Sequence, residues 1–285
     1  MHASRRSFLA TCVAATHLSA QKSRITAREV IERIQKNVGV PWRAKTVDTF
    51  KTGNPDTPVT GIATSFGGTL DVLRRAAASG KNLIIVHEPT FYSHEDVEKD
   101  LTGEIYRAKR DFIDKHGLVI WRFHDHWHAR HPDGIVTGVI EALGWDKYPT
   151  HDNPRRYAIP STTLAKLAGD IRDRMKIRVM RVVGDPNLKV ANAAYSPGYT
   201  ELPVVLRAFD SPEIDVLLIG EIREWTGIEL ARDAQTLGLK KGLIVLGHVP
   251  SEEAGMKECA RWLKTFVPEV PIEFIPSGEP FWTPK

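Results

Sequence analysis

Cysteine is nearly absent: Cys12 and Cys259 are the two in 285 residues. Cys12 lies in a segment expected to be removed, so the mature chain keeps one thiol and no internal disulfide. A cysteine-based zinc site is excluded with it, and any metal must be held by nitrogen and oxygen. An excess of one charge is also lacking, since 39 Lys+Arg stand against 35 Asp+Glu. Arg5 and Arg6 belong to the same removable segment, which leaves the mature chain near neutral. No dense basic block is present to suit a phosphate backbone, so nucleic acid is excluded as a first partner. Beyond the N-terminus no run approaches the roughly 18 apolar residues that span a bilayer. Neither a P-loop nor a Gly-rich phosphate fingerprint occurs.

What is present begins with Ser4-Arg5-Arg6-Ser7-Phe8-Leu9 and a mildly apolar run to Ala20. This resembles a twin-arginine export signal over 1–20, and Leu18-Ser19-Ala20 offers small residues for cleavage. An exported, extracytoplasmic protein is the expectation; the alternative is a misplaced start codon and a cytoplasmic protein. The full chain is 42% hydrophobic and 26% charged, enough for a sizeable globular core.

From Ile25 the chain alternates helix and strand. Thr26 suits the N-cap of a helix over 27–37. Further helices are expected near 70–78, 103–116, 135–143, 164–175, 202–209, 227–237 and 253–266. Strands are expected at 61–66, 82–86, 118–123, 177–183, 215–219, 242–246 and 271–275. Pro149, Asn153, Pro154 and Pro160 mark a boundary, which divides the chain into lobes over 24–150 and 151–285. Alternation of this kind predicts a two-lobed α/β fold with mostly parallel sheets flanked by helices.

Three apolar strands end alike. One runs through Val86 into His87-Glu88-Pro89, a second through Phe123 into His124-Asp125-His126-Trp127-His128, and a third through Leu246-Gly247 into His248 with Glu252 and Glu253 beyond. Ligands of open α/β sheets bind beyond the carboxyl ends of strands, and an apolar strand has no packing use for an imidazole there. Continued as a strand, the second cluster puts His124, His126 and His128 on one face and Asp125 on the other. His248 and Glu252 share a helix face if a helix begins there. Imidazole with carboxylate suits zinc, iron or manganese, as well as nickel or cobalt. Asp125 and His126 divide evenly between supporting a ligand and facing solvent. A structural role stands for His94, His116, His131 and His151, and solvent for Glu253.

These residues resemble the NIF-three-like family, also called GTP cyclohydrolase type 2 and described as dinuclear-metal, hexameric proteins. The resemblance runs from about Ile25 to Trp282. It rests on Gly61-Ile62-Ala63-Thr64-Ser65-Phe66, Asn82-Leu83-Ile84-Ile85-Val86-His87-Glu88-Pro89, His124 to His128, Val182-Val183-Gly184-Asp185-Pro186, Ile219-Gly220-Glu221-Ile222, and Gly247-His248 with Glu252. It implies metal ligands at His87, His124, His128, His248 and Glu252. The family's His-His-Pro becomes His87-Glu88-Pro89, so Glu88 stands for a ligating histidine. Its bridging Asp, four residues after the second motif's His, becomes His128. One reading is that Glu88 and His128 have exchanged roles. Where histidines commonly follow Gly-Glu-Ile, Arg223, Glu224 and Trp225 stand instead, which marks a divergent member.

The resemblance implies one or two divalent transition-metal ions in the cleft between lobes, a homo-oligomer of the family's hexameric kind, and hydrolysis of a nucleotide-like small molecule. Metal would activate water, with Glu252 or Glu221 as general base. The alternative is a metal-storing or scaffold assembly without catalysis. Resemblance of His124-x-His126-x-His128 to the loops of metallo-β-lactamase-like or amidohydrolase-like enzymes fits less well, because the remaining motif positions of both are missing.

Overall fold

The computed structural model describes residues 25–150 and 153–284; the expected export signal over 1–20, Cys12 and His151 lie outside them. In chain order the elements are α1 (Ala27–Asn37), β1 (Phe50–Thr52), β2 (Ile62–Gly67), α2 (Leu70–Ala78), β3 (Leu83–Glu88), α3 (Glu104–Lys115), β4 (Val119–Arg122), α4 (Asp125–Ala129) and α5 (Gly134–Leu143). There follow β5 (Arg156–Thr163), α6 (Leu164–Met175), β6 (Arg181–Val183), β7 (Lys189–Tyr199), α7 (Leu202–Asp210) and β8 (Val216–Glu221). After a π-helical turn at Glu224–Ile228 come α8 (Glu229–Thr236), β9 (Gly242–Val245), α9 (His248–Leu263) and β10 (Ile272–Phe274).

Two five-stranded sheets result, ordered β1-β4-β3-β2-β10 and β5-β7-β8-β9-β6. Their centres are parallel and their antiparallel pairings lie at edges: β1 on β4, β5 on β7 and β6 on β9. The mostly parallel α/β expectation therefore holds in five of eight pairings. Helices are needed to bring parallel neighbours into register, which is why the βα alternation was visible in the sequence. The closing strand β10 pairs with β2, so the end of the 151–285 segment belongs to the first sheet.

Local chemistry sets the elements. Thr26 caps α1, accepting from the Glu29 N–H at 3.3 Å, while the Glu29 carboxylate accepts the Thr26 N–H at 2.7 Å; this capping box satisfies two otherwise orphan donors. Strands β3 and β4 are buried on both faces, as strands covered by helices must be. Helix α9 packs on β2 and β10 of one sheet, on β7 and β8 of the other, and along α5. Its approach to α5 is close enough that a Cβ at Gly138 would stand 2.3 Å from the Ala254 carbonyl oxygen. This contact seats the start of α9 between the two sheets.

Four sequence expectations change. The α9 helix starts at His248 rather than near 253, because Pro250 falls in its first turn, where no backbone donor is lost. The strand expected at 177–183 is confined to Arg181–Val183. The helix expected from 227 opens three residues earlier as the π-helical turn. Most consequentially, the strand does not continue through His124–His128: β4 stops at Arg122, and Asp125–Ala129 is one short helix. Three strands, β1 and β5 at sheet edges and β7 inside the second sheet, have no alternating apolar pattern strong enough to be read.

Candidate metal centre

The centre sits beyond the carboxyl ends of β3, β4, β8 and β9, between the sheets. β3 delivers His87, fully buried, and Glu88. After β4, His124 is the N-cap of α4 and His128 lies four residues on, so both imidazoles occupy one side of a helical turn. His248 and Glu252 stand in the same relation on the first turns of α9.

Every one of these four imidazoles is anchored through Nδ1. His87 Nδ1 lies 3.1 Å from the Phe123 carbonyl, and His124 Nδ1 lies 2.9 Å from Asp125 Oδ1. His128 Nδ1 is 3.1 Å from Asp133 Oδ2, and His248 Nδ1 is 3.0 Å from Glu221 Oε1. Anchoring by a carbonyl or carboxylate fixes the tautomer, so each Nε2 lone pair is presented to the centre. The Nε2 atoms face two carboxylates. His87 and His248 approach Glu252 Oε2 at 3.5 and 3.1 Å, and His128 approaches Glu252 Oε1 at 3.8 Å. His124 and His248 approach Glu88 Oε1 at 3.5 and 3.6 Å.

Two sets of donors lie within 4.8 Å of one another, His87 with His124 and His128, and His87 with Glu88 and Glu252. His87 Nε2 and Glu252 Oε2 are buried and make no well-aligned hydrogen bond. Such orphaned atoms are costly in a core and are what a cation would satisfy. The donor set of imidazole and carboxylate is the one that suits a transition metal, so the residues fit the group.

The electrostatics follow the same plan. Burial holds the His87 pKa well below the usual histidine range, and His124 and His128 push it the same way; a neutral imidazole is the form that binds metal. Burial works against the charge of His248, but Glu221, Glu252 and Glu88 outweigh it and raise its pKa to about 12. Burial likewise opposes ionisation of Glu88, yet His248, His124 and Arg122 hold its carboxyl below the usual range. In His128 burial is outweighed by Asp133 and Glu252, and the pKa rises. Without a cation, protons take its place among the carboxylates.

All the sequence-predicted site residues meet here, in two roles. His87, Glu88, His124, His128, His248 and Glu252 face the centre, whereas Glu221 stands behind His248. Asp125 supports His124 while accepting from the Thr46 hydroxyl at 2.8 Å and the Val47 N–H at 3.2 Å. His126 does not share a face with its neighbours, because the turn is helical. Its Nδ1 lies 2.7 Å from Asp48 Oδ2, its Nε2 accepts the Arg43 N–H at 3.0 Å, and its ring stacks on Trp42 at 3.6 Å. The ring of His94 meets that of His124 edge-on at 5.7 Å, outside both donor sets.

Sequence reading missed four contributors. Asp48 accepts the backbone N–H groups of His124, Asp125 and His126 at 2.6, 2.9 and 2.9 Å and so pins the start of α4; nothing in its local sequence signals this. Asp133 was visible as a helix N-cap before an apolar run but not as the anchor of His128. Arg122 was a charged residue inside an apolar strand, a signal left unused. Gly198 has φ +63°, and a Cβ there would stand 2.4 Å from Glu252 Oε1 and 3.1 Å from His248 Nε2; both the backbone angle and the space require glycine.

Comparison with known proteins identifies the family and the fold. A sequence model of Duf34/NIF3 (NGG1p interacting factor 3) matches residues 25–280. The chain belongs to the Duf34/NIF3 family. A Chlamydia pneumoniae protein named GTP cyclohydrolase 1 type 2 homolog is 23% identical over 242 residues, spanning 81% of this chain and 90% of that protein. The crystal structure of a Bacillus cereus protein related to NIF3 superposes with a TM-score of 0.74 at 16% identity, covering 91% of this chain and 99% of that one. The Staphylococcus aureus protein SA1388 gives 0.72 at 18% identity, covering 91% and 99%. At these identities the structures establish the shared fold. In this Duf34/NIF3 member the His248–Glu252 pair faces Glu88 and His128 across the centre.

Proposed function

We propose that the protein is a metal-dependent hydrolase acting on a small, nucleotide-like molecule. The observation that carries this reading is the convergence of four Nδ1-anchored imidazoles on Glu88 and Glu252, with His87 Nε2 and Glu252 Oε2 buried and unbonded. His87, Glu88, His124, His128, His248 and Glu252 would hold one or two divalent ions, with zinc, iron or manganese suited to these donors. A bound ion would supply Lewis acidity and lower the pKa of a water molecule. This chain's own residues orient the donors and keep them dry: His87 and Glu252 are 0% and 2% exposed. The general base is whichever carboxylate an ion leaves free, Glu252 if unsaturated and otherwise Glu221, which hydrogen-bonds His248. The name borne by the C. pneumoniae relative makes GTP the first substrate to try.

One observation favours a second reading. Six donors face the centre, and six can close the shell of an ion and leave no position for substrate, which suits storage or a scaffold. Elemental analysis of untagged protein beside a His87→Ala, His248→Ala double variant tests the metal. Assays of the loaded protein on GTP and other purine nucleotides then separate the readings. Metal lost in the variant with turnover in the native chain supports the hydrolase; bound metal without turnover on any nucleotide supports storage; no metal in the native chain sinks both. The export reading of residues 1–20 and a homo-oligomeric, hexameric assembly complete the proposal. N-terminal sequencing of the protein recovered from its source and light scattering check them.

A further inference from the structure

The centre contains a fixed cation of its own. Arg122 is fully buried at the end of β4. Its Nε donates to the His87 carbonyl at 2.9 Å, its Nη1 to the His94 carbonyl, and its Nη2 to Glu88 Oε2 at 3.2 Å. Glu88 is thereby split: Oε2 belongs to the guanidinium, and Oε1 alone faces His124 and His248 at 3.5 and 3.6 Å. We propose that the centre holds a single transition-metal ion per subunit, with Arg122 positioning Glu88 as a one-oxygen donor and standing in for a second cation. The proposal rests on the metal reading above and sharpens it.

Three features of the donor set converge on this count. First, the two donor sets share His87, whose Nδ1 is committed to Phe123. Its one remaining lone pair can serve one ion, and the same limit holds for the other three imidazoles. His128, where a carboxylate could have joined two ions, cannot join them. Second, the guanidinium holds Glu88 Oε2, which takes away the free two-oxygen bridge that an unpaired carboxylate would offer a pair of ions. Third, charge is against a pair. The inner carboxylates Glu88 and Glu252 offer two negative charges, and Arg122 answers that of Glu88 at 3.2 Å, while the buried Asp96 behind it, 4.0 Å from the guanidinium, is faced by Lys51 at 3.7 Å. One divalent ion is accommodated by what remains; a second would add two positive charges beside a buried guanidinium, where little solvent is available to screen them. The spacing agrees. Donors placed ~2.0–2.2 Å from one ion stand roughly 2.8–3.6 Å apart, and four facing Nε2–Oε pairs lie at 3.1, 3.5, 3.5 and 3.6 Å, with His128–Glu252 just outside at 3.8 Å.

The test is stoichiometry rather than turnover. Metal-free protein is titrated with Mn(II) and with Co(II), freed of excess ion, and analysed by elemental content per subunit and by EPR. The expected result is a plateau at one ion per subunit with the spectrum of an isolated ion. Two ions per subunit, or an exchange-coupled spectrum, overturns the proposal and makes Glu252 the bridge. No ion at any concentration removes the metal reading itself, a different failure. Arg122→Gln then asks whether the guanidinium sets the count: with its charge gone and Glu88 Oε2 released, a second ion is expected, and a plateau still at one removes Arg122 from the argument. If that variant fails to fold, Glu88→Gln decides in its place. One ion bound at least tenfold more weakly is expected, and unchanged affinity shows that Glu88 is not a donor.

Discussion

The two sides of the short helix α4 hold the same residue type to opposite ends. On the inner side, His126 spends both ring nitrogens, one on Asp48 and one on the Arg43 N–H, and lies flat against Trp42. On the other, His124 and His128 spend only Nδ1, on Asp125 and Asp133. A histidine whose two nitrogens are both satisfied by protein is a packing element. One with a single anchored nitrogen is a donor held ready. Burial does not separate the classes, since His126 and His87 are both fully buried; the hydrogen-bond account of the second nitrogen does.

The contrast can be broken most directly at the donors. Glu252→Gln removes the carboxylate that faces three imidazoles, and bound metal should fall to background in elemental analysis while the circular dichroism spectrum stays native; retained metal would dissolve the distinction. Next in size is the packing histidine. His126→Ala removes one donor from Asp48, leaves the Arg43 N–H without its acceptor and opens a cavity beside Trp42, and should lower stability by about 2–4 kcal/mol in denaturant titration, with metal content per folded subunit unchanged. Loss of metal in that variant would mean the two sides of α4 are not separate. Smaller again is the support behind a donor. Asp133→Asn should weaken metal binding about 10–100-fold by competition with a chelator, while unchanged affinity would show that the Nδ1 anchor is incidental.

The smallest effect is a slope. In metal-free protein His248 carries a proton among three carboxylates, so its folded pKa of about 12 lies above the ordinary value of 6.5. The folded state then binds more protons than the unfolded one between those values. Stability from this group is fully present below pH 6.5 and is lost as pH rises toward 12. Chelated native protein should therefore lose stability faster over that range than chelated His248→Gln, and added metal, which displaces the proton, should flatten the difference. Equal slopes would place His248 outside the carboxylate cluster.

Much of this was legible in the sequence because apolar strands ending in His87, His124 and His248 violate packing logic unless something binds there. The fold's parallel centre was legible for a related reason, since buried strands are continuous apolar runs. What escaped was carried by long-range geometry. The turn at His124–His128 is helical because Asp48, 76 to 78 residues earlier in the chain, gathers three of its N–H groups, and no local pattern announces such a cap. That one error of local geometry put His126 on the wrong side. The edge strand β5 and its interior neighbour β7 carry polar and small residues that satisfy ladder hydrogen bonds without an apolar signature, and so they stayed unread.

The return of β10 to the first sheet has a consequence for how the chain is made. Strand β2 is flanked by β3 on one side and by Ile272–Phe274 on the other. During synthesis the first sheet must wait for nearly the whole polypeptide before that edge is covered, with the entire second sheet made in between. A nascent chain, or one cut short after α9, presents β2 as an open, parallel, apolar ladder of the kind that recruits other strands. The last few residues of the fold thus serve as a completion seal, and loss of the C-terminal strand should show itself as aggregation during expression before it shows itself as lost chemistry.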